Sequence, residues 1–163
     1  MISIGSAPEM LSKPVRILTK VAAGQVHGTI LLVEDEDFVR HVTSEVLSFA
    51  GYEVLCARHA PEAMRVFRQH EEEVQLLLTD VVLPGRNGHD LARDLRAVRP
   101  TLKTMFISGY PENEAAKHGM QEKGAVYLSK PFSVESLIRT VGQALAEHGI
   151  AENGKASRIT GGE

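Results

Sequence analysis

The chain has 163 residues, of which 43% are hydrophobic and 24% charged, a composition typical of one globular domain with tails. Its 18 basic and 21 acidic residues give a formal charge of −3, so no overall positive field favours nucleic acid or anionic membranes. The single cysteine, Cys56, excludes a disulfide framework, and we expect it to be a small core residue. Short apolar runs and an N-terminus without a secretory signal pattern predict no membrane insertion and a cytoplasmic location.

Residues 1–28 differ from the rest of the chain, because glycine and proline recur there and apolar residues show only weak helical spacing. We interpret them as an N-terminal extension or linker with at most one short helix, within 14–23. Residues 29–149 form the predicted domain, and residues 150–163 are predicted to be a polar C-terminal tail.

Short apolar blocks alternate with segments of helical spacing throughout the predicted domain. Such blocks suit strands buried on both faces, as in parallel sheets. The predicted strands are residues 29–33, 54–57, 74–79, 102–108 and 125–129. The predicted helices are residues 38–50, 61–67, 91–98, 111–122 and 133–149, the last with Ser133 as its cap. This alternation predicts an α/β fold, with a doubly wound five-stranded parallel sheet and helices on both faces.

Polar side chains follow four of these strands where each strand ends. Glu34 and Asp35 come after the first strand, Asp80 after the third, Ser108 ends the fourth and Lys130 follows the fifth. Ligands bind outside the carboxyl ends of the strands in such a sheet. We therefore expect these side chains to meet at one edge.

The residue types at this edge predict a phosphoryl-transfer site. Three carboxylates in one cleft repel each other unless a cation joins them, and oxygen ligands of this kind suit Mg2+. A hydroxyl and an ammonium opposite the carboxylates can donate to phosphoryl oxygens. A carboxylate can also act as a nucleophile and form an acyl phosphate. Each signal is weak alone, since acids and lysines at strand ends are commonly solvated loop residues, and only their occurrence together is informative.

Four segments resemble the receiver domain family of two-component response regulators. They are ILLVEDED at 30–37, LLLTDVVLPGRNGHDL at 76–91, FISGYP at 106–111 and AVYLSKPF at 125–132. Together they are highly specific, and the resemblance spans roughly residues 29–149. It implies the flavodoxin-like strand order 2-1-3-4-5 and a phosphoacceptor signalling domain rather than a turnover enzyme.

The resemblance implies a metal and phosphoacceptor centre. Asp80 corresponds to the phosphoacceptor and a Mg2+ ligand, Asp35 to a direct Mg2+ ligand and Glu34 to a ligand through water. The backbone carbonyl of Val82 completes the protein's share of the metal shell. Glu34 stands where the family more commonly has Asp, which is a tolerated variant.

The resemblance also implies a switch on the opposite side of the centre. Ser108 corresponds to the hydroxyl switch, where Thr is frequent, and Lys130 to the lysine that contacts phosphate. Tyr127 is similar to the aromatic residue that turns inward on activation. The bond before Pro131 is expected to be cis.

Two further positions are expected to set the lifetime of the phosphoryl group. Val82 and Tyr110 lie two residues after the acceptor and two after the hydroxyl, where the family's residues flank the path of the attacking water. Because neither side chain orients water as Asn, Gln or Glu does, we predict slow self-dephosphorylation.

The implied partners are a sensor histidine kinase or a histidine phosphotransfer protein. A downstream protein is expected to contact the 111–122 helix, the fifth strand and the last helix, with no direct contact to nucleic acid. Residues 150–163 are too few for a DNA-binding or enzymatic output domain. We therefore expect either a stand-alone receiver or the receiver of a larger protein, such as a hybrid sensor kinase.

Three alternatives use related folds. A phosphate-independent adaptor receiver would be indicated by a missing acid or lysine, and none is missing here. A haloacid-dehalogenase-type phosphatase has Asp-x-Asp after its first strand, whereas Asp80 is followed by Val81 and Val82. A flavodoxin-like FMN carrier needs a Ser/Thr/Gly-rich loop after the first strand, and the acidic residues 34–37 would repel its phosphate.

Overall fold

The computed structural model describes residues 27–109 and 124–146. In chain order its elements are β1 (Thr29–Val33), α1 (Asp37–Phe49), β2 (Glu53–Ala57), α2 (Ala60–Gln69), β3 (Val74–Asp80), β4 (Val82–Leu83), β5 (Arg86–Asn87), α3 (Gly88–Val98), β6 (Lys103–Ser108), β7 (Val126–Ser129) and α4 (Val134–Ala146). All of the strands predicted from sequence are present, with ends within one residue of the predicted ones.

The main sheet has the order β2-β1-β3-β6-β7, and all neighbouring strands are parallel. Without the short β4–β5 pair this is the order 2-1-3-4-5, so the predicted fold is confirmed. The register pairs Val33 with Thr79, Asp80 with Ile107 and Ser108 with Ser129. The carboxyl ends of β1, β3, β6 and β7 therefore lie side by side.

The sheet separates two hydrophobic cores, because successive strand residues point to opposite faces. Leu31, Leu77 and Phe106 face one core, which Phe67 of α2 and Leu95 of α3 complete. The opposite core contains Ile30, Leu76 and Met105 of the strands, with Leu47 of α1 and Val141 of α4. Helices on both faces thus explain why the strands are continuously apolar.

Side chains cap three of the described helices. At α2 the Nδ1 atom of His59 accepts a hydrogen bond from the N–H of Glu62 at 3.2 Å. Asn87 Oδ1 accepts from the N–H of His89 at 2.8 Å, and Ser133 Oγ accepts from the N–H of Ser136 at 3.1 Å. The predicted Ser133 cap is confirmed.

The segment after Asp80 was predicted to be a loop, but it contains the antiparallel pair β4–β5. Val82 pairs with Asn87 and Leu83 with Arg86 across a two-residue turn of Pro84 and Gly85. Proline fixes the first turn position, and Gly85 adopts a φ of 71°, which a type II turn requires at its second position. The hairpin thus fixes the backbone directly after Asp80.

The prediction for Cys56 was wrong, because its side chain is exposed. Cys56 lies on β2, an edge strand of the sheet, and four of the five β2 residues are exposed or only partly buried. An apolar block in the sequence does not distinguish such a strand from a central one.

Some predictions fall on residues 1–26, 110–123 and 147–163, which lie outside the described residues. They concern the short helix within 14–23, the helix 111–122 and Tyr110. The bounds of the extension, domain and tail also stay predictions. Among the described helices, none combines the length and apolar character needed to cross a membrane.

Candidate functional site

Three carboxylates meet where β1 and β3 end. Glu34 and Asp35 directly follow β1, and Asp80 is the last residue of β3, the neighbouring strand. One carboxylate oxygen from each residue lies within 4.8 Å of the others. Glu34 is buried and the Asp80 side chain is only 13% exposed, whereas Asp35 is open to solvent. The cluster therefore has a buried side and an open side.

Glu34 is held from two directions. Its Oε1 atom accepts a hydrogen bond from the N–H of Glu36 at 3.0 Å, and its backbone carbonyl accepts one from Arg40 Nη1 at 2.9 Å. Burial raises the pKa of the Glu34 carboxyl to about 7, and Asp80 also raises it, against the Glu36 N–H and Lys130, which lower it. Protonation of Glu34 is thus favoured first by its burial and then by the neighbouring Asp80.

Lys130 and Ser108 approach the carboxylates from the other side. Lys130 follows β7, and its Nζ atom donates to Asp80 Oδ2 at 2.8 Å and lies 3.8 Å from Glu34 Oε2. Its backbone N–H donates to the carbonyl of Ser108 at 2.7 Å, and the bond to Pro131 is cis. Ser108 is buried at the end of β6.

These groups open into a pocket of about 330 Å3 beside Asp80. Its lining includes Asp80, Val82, Ser108 and Lys130. One carboxylate, one hydroxyl-bearing residue and one ammonium-bearing residue thus share a small cavity with Val82, whose side chain is 68% exposed. The volume lies at the small end of the range for ligand-binding pockets.

Backbone hydrogen bonds hold the residue after Asp80 from two sides. The N–H of Gly88 donates to the carbonyl of Val81 at 2.8 Å, and the N–H of Val81 donates to the carbonyl of Ile107 at 2.9 Å. The role expected for the carbonyl of Val82 as a metal ligand stays a prediction.

Gly88 has a role that the sequence did not reveal. A Cβ atom at this position would lie 2.1 Å from the carbonyl oxygen of Asp80. Only glycine allows α3 to begin this close to the backbone of Asp80. The sole sequence signal was a glycine beside Asn87 in a Pro/Gly-rich loop, which predicts a turn and not a close approach.

Tyr127 lies on β7, three residues before Lys130, and is half-buried. Its ring stacks on that of Phe106 with centroids 5.2 Å apart. The structure thus brings together the predicted site residues Glu34, Asp35, Asp80, Ser108 and Lys130. Val82 lines the same pocket, and Tyr127 lies on β7, the strand that leads into Lys130.

The comparisons with known proteins agree with this geometry. The family model for the response regulator receiver domain matches residues 30–142, and the chain belongs to this family. Receiver domains are signalling modules of two-component systems, not turnover enzymes.

Curated relatives include both large and small proteins. The chain is 38% identical over 118 residues to the sensor kinase CckA of Brucella abortus, covering 72% of this chain and 12% of that protein. It is 35% identical over 116 residues to the response regulator receiver protein CpdR of the same species, covering 71% of this chain and 95% of CpdR. It also matches a quarter of NtrC from a Bradyrhizobium strain, at 37% identity over 74% of this chain.

Solved structures give the same result. The receiver domain of the hybrid histidine kinase CckA is 38% identical, with a TM-score of 0.62 over 72% of this chain and 99% of that one. A receiver domain from Clostridium thermocellum is 27% identical, with a TM-score of 0.65 over 72% of this chain and 94% of that one.

Proposed function

We propose that this domain accepts a phosphoryl group on Asp80 and signals through the change that this causes. The observation that carries the proposal is the position of the Asp80 carboxylate. It lies at a small pocket, in contact with Lys130 Nζ at 2.8 Å and grouped with two further carboxylates. The lysine and Ser108 are suited to contact phosphoryl oxygens, and a phosphoryl group fits the pocket.

Mg2+ is the cofactor that the residues fit best. Glu34, Asp35 and Asp80, with the carbonyl of Val82, are all hard oxygen donors. Burial and the neighbouring Asp80 raise the pKa of Glu34, and a bound divalent cation would favour its ionised form. When bound, Mg2+ supplies positive charge to the oxygens of the transferred group. Lys130 supplies a second positive charge from the protein itself.

The proposed step is a displacement at phosphorus. A carboxylate oxygen of Asp80 attacks the phosphorus of a donor phosphohistidine, and an O–P bond forms while the N–P bond breaks. The electron pair of that bond remains on the imidazole nitrogen, which takes up a proton. The product is an acyl phosphate on Asp80 and a free histidine on the donor. Holding the donor in line with Asp80 is the main task of the pocket.

The phosphodonor is proposed to be a sensor histidine kinase or a histidine phosphotransfer protein in the cytoplasm. CckA and CpdR are similar to this chain over the receiver portion, and one is a kinase while the other is little longer than a receiver. A downstream protein is proposed to contact β7 and α4, which adjoin the pocket through Lys130, together with residues 111–122. Any activity that this receiver controls as part of a longer protein is likewise proposed.

Mass spectrometry of the intact protein tests the proposal. Incubation with acetyl phosphate and Mg2+ should add one phosphoryl group, and chelation of Mg2+ should prevent this. An adaptor that works without phosphate would show no added mass under either condition. A phosphatase would instead release inorganic phosphate over many turnovers while its own mass stays unchanged.

A further inference from the structure

Three aromatic rings form a triangular cluster between α3 and β7. The ring of His89, in the first turn of α3, lies with its centroid 4.1 Å from that of Phe106 on β6. Phe106 in turn stacks on Tyr127 of β7 at 5.2 Å, and His89 and Tyr127 are 6.1 Å apart. Phe106 is fully buried, so the rings of His89 and Tyr127 both pack against a fixed ring.

Two members of this cluster connect to the pocket. Gly88, the residue before His89, is packed so closely on Asp80 that an added Cβ would lie 2.1 Å from the Asp80 carbonyl oxygen. The N–H of Gly88 also donates to the carbonyl of Val81 at 2.8 Å. Tyr127, the second member, lies on the strand that leads into Lys130. Because Gly88 lies against Asp80 and precedes His89 directly, a displacement of the Asp80 backbone would move Gly88 and, with it, His89.

The surroundings of His89 favour the neutral form of its imidazole. Burial lowers the pKa of His89; the charge of Asp90 opposes this and that of Arg96 adds to it. The charge of Arg96 also lowers the pKa of Tyr127, against burial, which raises it. The charge of Arg96 therefore acts on both His89 and Tyr127.

We propose that His89 is a positioning residue that couples the backbone of Asp80 to the ring of Tyr127 through contact with Phe106. This inference rests on the proposed phosphorylation of Asp80, and it assigns the path by which that event moves β7. Close packing cannot absorb a shift of the first turn of α3 without moving the rings, so the cluster has few alternative arrangements. The aromatic ring of His89 is what transmits the shift.

Fluorine NMR of the full chain labelled with fluorotyrosine tests the coupling. The signal of Tyr127 is assigned by its loss in Tyr127→Phe, and its shift is measured with and without phosphorylation by acetyl phosphate and Mg2+. At equal phosphorylated fractions, His89→Ala should reduce the shift to less than half of the wild-type value, whereas His89→Phe should retain it. If His89→Ala fails to fold, His89→Leu, which keeps apolar volume without a ring, replaces it.

A full wild-type shift in His89→Ala or His89→Leu at equal phosphorylation would overturn the coupling while leaving the proposed function intact. Loss of the shift in His89→Phe as well would overturn the role of the ring. Absence of any phosphorylation in the wild type would instead contradict the proposed function.

In that case the coupling is tested with Gly88→Ala, without phosphorylation. This change should move the Tyr127 signal in the wild-type background and not in His89→Ala. Equal movement in both backgrounds would overturn it.

Discussion

Lys130 Nζ lies 2.8 Å from Asp80 Oδ2, although 50 residues separate them in the sequence. Burial alone would lower the pKa of Lys130, but the hydrogen bond to Asp80 and the charges of the three carboxylates raise it overall. The lysine therefore stays protonated at neutral pH and offsets part of the charge on the carboxylates. One ammonium against three carboxylates leaves a cluster that should bind a divalent cation.

Asp35→Asn should weaken Mg2+ binding by about tenfold or more, because it removes one charged ligand from the cluster, a loss of at least about 1.4 kcal/mol. It should also make the metal-free domain slightly more stable by reducing repulsion. Titration of Mg2+ against the unfolding temperature measures both effects. Asp90→Asn is the matched control, since Asp90 pairs with Arg93 outside the cluster. Equal Mg2+-induced shifts in the two variants would count against this site.

The raised pKa of Glu34 predicts how stability depends on pH when no metal is present. Folded Glu34 holds its proton up to about pH 7, whereas the unfolded chain releases it near the ordinary value of 4.5. The folded state thus binds more protons between these values, and the free energy of unfolding should fall as pH rises through this window.

The expected fall from Glu34 is a few kcal/mol at most, since one unit of pKa corresponds to about 1.4 kcal/mol. Denaturant unfolding in chelator measures it. Glu34→Gln should flatten this part of the pH profile. Glu45→Gln, at an exposed position of α1, should leave it as in the wild type. A wild-type slope that persists in Glu34→Gln would assign the effect to another group.

Gly88→Ala should displace the phosphoacceptor loop, because the added methyl group cannot coexist with the Asp80 carbonyl at 2.1 Å. We expect a loss of about 1–3 kcal/mol in unfolding free energy and slower phosphorylation. Gly142→Ala is the control, since Gly142 lies within α4 and its added Cβ would be 3.8 Å from the Tyr52 hydroxyl. That change should be neutral or stabilising by about 0.5–1 kcal/mol. Similar losses in both variants would contradict a specific clash.

The lifetime of the acyl phosphate should be long, because exposed Val82 borders the pocket and offers no polar group to orient water. Val82→Asn combined with Tyr110→Glu should accelerate hydrolysis by about tenfold or more. Decay of the purified phosphorylated protein in Mg2+ measures this, with Val98→Asn, an exposed valine of α3, as control. Decay of the wild type within seconds, or no acceleration in the double variant, would remove the basis for this expectation.

The sequence was sufficient for the sheet order and for the edge at which the polar residues gather. The spacing of apolar residues and the polar residues at strand ends are local signals in the sequence. The resemblance to receiver domains indicated that these polar residues form one site. The contact of Gly88 with Asp80 and the ring cluster of His89, Phe106 and Tyr127 could not be predicted, because both depend on how the β4–β5 hairpin brings α3 against the sheet. The prediction for Cys56 was wrong for a related reason, since the residues of a strand do not show whether it lies at the edge or in the centre of a sheet.

Chemical mapping of the phosphorylated residue tests the central claim most directly. Reduction of the acyl phosphate with borohydride converts the phosphorylated aspartate to homoserine, which peptide mass spectrometry locates. The account predicts homoserine at position 80 alone and no phosphoryl mass gain in Asp80→Asn. The matched control Asp90→Asn, whose aspartate pairs with Arg93 outside the cluster, should gain mass as the wild type does. Homoserine at position 35 or elsewhere, or an undiminished mass gain in Asp80→Asn, would contradict it.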